Sequence, residues 1–127
     1  MARVFLDTNY FIDAVARKSE REILKALVRH TAIISPLSIV IYCYLYKIKV
    51  PNKQLSIQLA QFLSTELSQN ICDKALEGPT DDFEDNVQLH SAAEADCDFF
   101  LTSDEKLLKI KFFGKVQISS SLIENNS

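Results

Sequence analysis

The sequence predicts an α/β protein whose parallel sheet is covered by helices on both faces. Three observations carry this. Short apolar runs of strand length, Val4-Phe5-Leu6, Ala32-Ile33-Ile34 and Phe99-Phe100-Leu101, recur along the chain. Stretches of helical periodicity separate them, and that alternation builds a parallel sheet between two helical layers. Acidic residues follow the first and third runs, at Asp7 and Asp104, where a strand hands over to a helix. At 127 residues, one domain spanning 1–127 is expected, long enough to bury a core without disulfides or structural metal.

The elements follow in order. Residues 3–6 read as a buried strand and 9–16 as a helix. A second helix is expected over 19–30, where Ile23, Leu24, Leu27 and Val28 share a face and Ser19 with Glu22 forms a capping-box pattern. Residues 32–35 read as the second strand. Pro36 suits the first turn of a helix over 37–47. Pro51-Asn52 opens another helix, with Leu55, Leu59, Phe62, Leu63 and Leu67 on one stripe. Ile71-Cys72-Asp73 reads as a weak strand. Gly78-Pro79 breaks the chain, and Thr80 or Asp81 caps a helix running to Ala95. After the strand 99–102, Ser103 or Asp104 caps a short helix through Leu108. Gly114 turns the chain into a last strand over 116–119, and the tail 124–127 reads as frayed.

Composition excludes several classes. Cys43, Cys72 and Cys97 are odd in number and widely spaced, with no CxxC pair, so buried free thiols in a reducing cytoplasm are expected rather than a zinc site or a disulfide framework. Strand residues begin directly after Met1-Ala2, so no signal peptide is expected. The longest apolar stretch, 33–50, is interrupted by Pro36, Lys47 and Lys49 and falls short of the ~20 apolar residues of a membrane span. The net charge of −3 is unevenly distributed. Arg17, Lys18, Arg21, Lys25 and Arg29 form an early basic group, and Lys106, Lys109, Lys111 and Lys115 a late one; residues 73–105 are acidic apart from Lys74.

The acids are the chemistry-bearing feature. Asp7, Asp104 and the group Asp81, Asp82 and Asp85 all fall at strand ends or helix starts, which lie on one edge of such a sheet. Each alone is equally a helix cap or a first-turn charge. Together they would repel, and one would take up a proton unless a cation were present. A hard ion such as Mg²⁺ or Mn²⁺ takes oxygen ligands and keeps several waters. Two other acid-based sites match less well. A phosphoacceptor domain needs an acidic pair after the first strand, where Asp7 stands alone; a phosphatase of the haloacid class needs a second aspartate at the position of Asn9. Tyr42, Tyr44 and Tyr46 cannot all face one side of a helix, so some of them are candidates for a partner contact.

Three segments in order resemble the PIN-domain nucleases, in particular the small prokaryotic members that include the toxins of toxin–antitoxin pairs. They are Val4-Phe5-Leu6-Asp7-Thr8-Asn9-Tyr10-Phe11-Ile12-Asp13, the stretch Asp82-Phe83-Glu84-Asp85-Asn86-Val87-Gln88-Leu89-His90-Ser91-Ala92, and Phe99-Phe100-Leu101-Thr102-Ser103-Asp104. The resemblance implies a three-layer α/β/α sandwich and metal-dependent cleavage of RNA phosphodiester bonds. It puts Asp7, Asp85 and Asp104 on a Mg²⁺ or Mn²⁺ ion. Thr8 and Asn9 would support Asp7, Thr102 or Ser103 would bond to carboxylate, water or phosphate, and Asp82 would be auxiliary. It also implies a cytoplasmic homodimer, restrained by an antitoxin protein and acting on RNA. One position departs from the pattern: the family usually carries a glutamate on the helix after the second strand, and Ile41 stands there. Either three carboxylates still hold an ion weakly, or the domain is an inactive binding module working through RNA or protein contacts.

Overall fold

The computed structural model describes residues 1–17 and 20–122, the side chains of residues 20–22 excepted. The chain runs β1 (Arg3–Leu6), α1 (Thr8–Ala16), α2 (Glu20–Ala26), β2 (Thr31–Ile34), α3 (Pro36–Leu45), α4 (Lys53–Leu59), β3 (Leu63–Ser64), α5 (Gln69–Ala75), α6 (Phe83–Glu94), β4 (Phe99–Leu101), α7 (Glu105–Ile110), β5 (Phe112–Phe113) and β6 (Val116–Ser119). The strand order is β3-β2-β1-β4-β6-β5. All pairings are parallel except β5 with β6, so the sheet is mixed rather than wholly parallel.

Period-two alternation along the central strands divides the core between the two sheet faces. Val4, Leu6, Ile34 and Leu101 point to one side, where Phe11, Ile12, Leu27, Tyr42 and Leu55 from α1 to α4 cover them. Phe5, Ile33, Phe100 and Ile118 point to the other, under Leu89 and Ala92 of α6 and Leu107 of α7. Phe5 and Phe100 stack at 5.3 Å between ring centroids across neighbouring strands. The three-layer α/β/α sandwich is therefore present.

The topology creates one special place. From β1 the chain moves outward through β2 to β3, then returns to lay β4 on the opposite flank of β1. The connections after β1 and β4 thus diverge from adjacent strands, which opens a crevice at their C-terminal ends.

Several expected boundaries change. The helix from Pro51-Asn52 stops at Leu59, and Leu63, expected on its apolar stripe, instead pairs its backbone with Ile33 as an edge strand. Residues 71–73 are helical, not extended: the Ser68 hydroxyl caps α5 by accepting from the Ile71 N–H, and Ile71 and Ala75 share its buried face at i, i+4 spacing. The second helix ends at Ala26, short of residue 30. Its expected capping box at Ser19 and Glu22, and the tail 124–127, lie outside the described residues. Asp82, rather than Thr80 or Asp81, caps α6. The three cysteines are free, with Cys97 buried and the other two partly exposed. No helix among the described residues is long and apolar enough to cross a membrane.

Candidate functional site

Asp7 stands at the end of β1 as the N-cap of α1. Its Oδ1 accepts from the Tyr10 N–H at 2.8 Å, and its own N–H donates to the Leu101 carbonyl at the end of β4. Its Oδ2 accepts from the Thr102 hydroxyl at 2.5 Å. Thr102 is wholly buried, and its Oγ1 also accepts from the Asp104 N–H at 3.0 Å. One hydroxyl therefore joins the acid after β1 to the backbone of the acid after β4. Asp104 is exposed and caps α7, accepting from the Lys106 N–H at 2.8 Å. Ser103, beside it, is exposed.

The third contribution comes from the start of α6. Asp82 caps this helix by accepting from the Asp85 N–H at 2.9 Å, which sets Glu84 and Asp85 in its first turn. Asn86 fixes the approach. Its amide donates to the Ala75 and Thr80 carbonyls, and its Oδ1 accepts from the Thr80 N–H and hydroxyl. With both donors and its acceptor engaged, this buried side chain pins the loop between α5 and α6.

Electrostatics ties these acids to one another. Burial pushes Asp7 above the usual carboxylate range, opposed by the Thr102 hydroxyl and the Tyr10 N–H and reinforced by the charges of Asp104 and Glu84. Asp85 is pushed up to about 6, chiefly by burial and then by the charges of Asp82, Asp104, Glu84 and Asp7. The charge of Asp104 therefore reaches both Asp7 and Asp85, on two other elements. In kind, these oxygen donors suit a hard divalent cation. In position they are splayed: among the described residues, no three acidic, histidine or cysteine side chains form a group able to hold an ion as they stand.

Thr8 turns away from Asp7. Its hydroxyl lies 3.0 Å from the Ser38 Oγ of α3 and accepts from the Gln88 Nε2 of α6 at 2.9 Å. Asn9 is exposed on the first turn of α1. Ile41 is half-buried one turn beyond Ser38. Gln88, Ser38 and Asn86 carry no role in the sequence reading. Their only local signal is polarity at helix positions that the fold buries: α6 hides Asn86, Gln88 and Ser91 together.

The sequence profile of the PIN domain matches residues 3–106. No curated protein matches the chain significantly. Solved structures do. VapBC2 from Rickettsia felis, bound to a DNA fragment from its promoter, superposes with a TM-score of 0.66 at 17% identity, covering 92% of this chain and 97% of that one. A toxin–antitoxin complex from Klebsiella pneumoniae gives 0.64 at 19%, covering 89% and 94%. FitAcB from Neisseria gonorrhoeae gives 0.57 at 13%, covering 91% and 95%. At these identities the neighbours speak for the fold, and the profile, spanning β1 to the start of α7, speaks for descent: the chain belongs to the PIN domain family and carries its nuclease-like fold.

Proposed function

We propose that this protein is a metal-dependent ribonuclease in which Asp7, Asp85 and Asp104 hold a Mg²⁺ or Mn²⁺ ion against an RNA phosphodiester. The observation that carries the reading is the Thr102 hydroxyl, which links Asp7 to the Asp104 backbone at the crevice between β1 and β4. The raised pKa of Asp85, due first to burial and then to Asp82, Asp104, Glu84 and Asp7, supports the same reading. A bound ion would neutralise the phosphate and lower the pKa of a water for in-line attack. The chain's part is to orient: Thr102 fixes the Asp7 carboxylate, Asp82 sets the first turn of α6, and α7 presents Asp104 at its N-cap. Exposed Lys106 in the first turn of α7, with Lys109 and Lys111 at its far end, would draw RNA toward the rim.

The same reading includes a cytoplasmic homodimer held in check by an antitoxin. Its support is that the structural neighbour from Klebsiella pneumoniae is a toxin–antitoxin complex and that α3 exposes Val40 (61%), Tyr44 (80%) and Leu45 (61%). Ile41 favours a second reading, an inactive binding module, because an isoleucine contributes no ligand at the family's glutamate position.

Cleavage of single-stranded RNA with Mn²⁺ separates the two. Asp7→Asn keeps a good helix cap but removes a ligand, so cleavage is expected to fall by roughly 100-fold or more. Equal cleavage by parent and variant assigns the activity to a contaminant; RNA binding without cleavage by the parent establishes the binding module.

A further inference from the structure

The last turn of α6 carries a charge that its helix does not favour. The C-terminal end of a helix dipole is negative and suits a cation. That turn has no basic side chain, and the exposed Glu94 stands on it instead. Glu66, exposed just after β3, shares with Glu94 the lining of a cavity of about 210 Å³. Among the described residues, neither carboxylate makes an ion pair.

Two buried hydroxyls line the same cavity. Ser91, Glu94 and Ala95 lie at i, i+3 and i+4, so one face of α6 fronts it. Ser91 is 1% exposed and its Oγ has no hydrogen-bond partner. A helical serine has the carbonyl four residues back within reach, and this one does not use it. From the other side comes Thr65, whose N–H donates to the Ile34 carbonyl at 2.9 Å and so is fixed beyond the end of β2. Its Oγ1 is likewise buried without a partner. Polar atoms left alone in an interior are rare, and two of the three such side-chain atoms among the described residues meet at this cavity.

The walls define the occupant. Four side chains offer oxygen acceptors, two of them charged, and none of the described lining residues is a lysine or arginine. Only two are acids, and among the described residues no three acidic, histidine or cysteine side chains form a group able to hold a metal ion. A primary ammonium brings positive charge together with three N–H donors and no acceptor, one donor for each hydroxyl and one for a carboxylate. We propose that this cavity binds a primary alkylammonium group, carried by a free diamine or by a lysine side chain of another molecule. Ser91 Oγ and Thr65 Oγ1 accept its N–H bonds, Glu66 and Glu94 balance its charge, and Ala95 leaves room for its methylene stem. The site lies at the opposite end of α6 from Asp85, so it stands or falls independently of the acidic crevice.

Calorimetric titration of the purified full chain with 1,4-diaminobutane and with Nα-acetyl-lysine amide tests this. Saturable binding is expected. Binding of the diamine alone assigns a free diamine, binding of the lysine probe alone assigns a lysine side chain, and binding of both assigns the ammonium group whatever its stem. Tetramethylammonium has the same charge and no N–H donor, and should not bind. Ser91→Ala is expected to weaken binding about tenfold. Without amine it should melt at or above the parent, because an unpaired buried hydroxyl is removed. Glu66→Gln with Glu94→Gln should also weaken binding about tenfold, whereas Glu77→Gln, an equal charge change elsewhere on the surface, should bind as the parent does. No saturable binding of either amine, equal binding of tetramethylammonium, or an equal loss in Glu77→Gln overturns the proposal. Parental affinity in Ser91→Ala also overturns it and leaves the two hydroxyls to a bridging water.

Discussion

Where β1 and β4 end, the acids of the crevice are tied to backbone: Asp7 accepts from the Tyr10 N–H, Asp104 from the Lys106 N–H, and Thr102 bridges the two. Across the pocket, α3 offers a buried serine and a half-buried isoleucine. The first wall doubles as helix capping. Its carboxylates cap α1 and α7 whether or not an ion is bound, so they serve the fold in either case. The second wall has no such double duty. An acid at position 41, in the interior of a helix, would satisfy no backbone group.

Thr102→Val tests the tied wall most severely. Valine keeps the shape but leaves a buried carboxylate oxygen of Asp7 and the Asp104 N–H without their partner. The expected cost is about 2 kcal/mol by urea denaturation. Mn²⁺ affinity and RNA cleavage are expected to fall by roughly 10- to 100-fold, since the bridge orients a ligand. A variant as stable and active as the parent would mean that capping, and not the bridge, organises this wall.

Ile41→Glu tests the untied wall. It returns an acid to α3 one turn beyond Ser38, and is expected to tighten Mn²⁺ binding by about tenfold, with a matching rise in RNA cleavage. In chelator the same variant should melt below the parent, because a carboxylate then stands in place of a half-buried isoleucine. Unchanged Mn²⁺ affinity and cleavage would show that position 41 does not reach the ion.

The same contrast explains how much was legible in the sequence. β1, β4 and the acids that follow them rest on local signals: an apolar run, then a capping residue, then a helix. Asp85 follows from its place in the first turn of α6. Residues 63–64 and 71–73 were misread because two-residue edge pairing and a one-turn buried face lie below the scale of periodicity; Ser68, the cap of α5, was the local clue. The Gln88 network was illegible for a different reason. Gln88 meets Thr8, 80 positions away in the chain, and Thr8 meets Ser38 on a third element. No window of sequence contains that contact.

The smallest effect is the charge balance itself. Asp85 has its pKa raised from 3.8 to about 6 in the folded chain, the reverse of an aspartate stabilised by a partner. Protons therefore favour the fold here. The contribution of Asp85 is fully present below about pH 4 and is lost as the pH rises through about 6. Asp85→Asn mimics the protonated form, so in chelator it should melt above the parent at pH 7.5, and the gap should narrow as the pH falls through 6 and close only near pH 4. Mn²⁺ reverses the sign for the parent: the ion competes with protons, so its stabilising effect should grow as the pH rises through 6 and vanish in the variant. A gap that stays constant from pH 7.5 to 5 would mean that Asp85 does not share the charge of the rim, and that the acid from α6 stands apart from the wall built by β1 and β4.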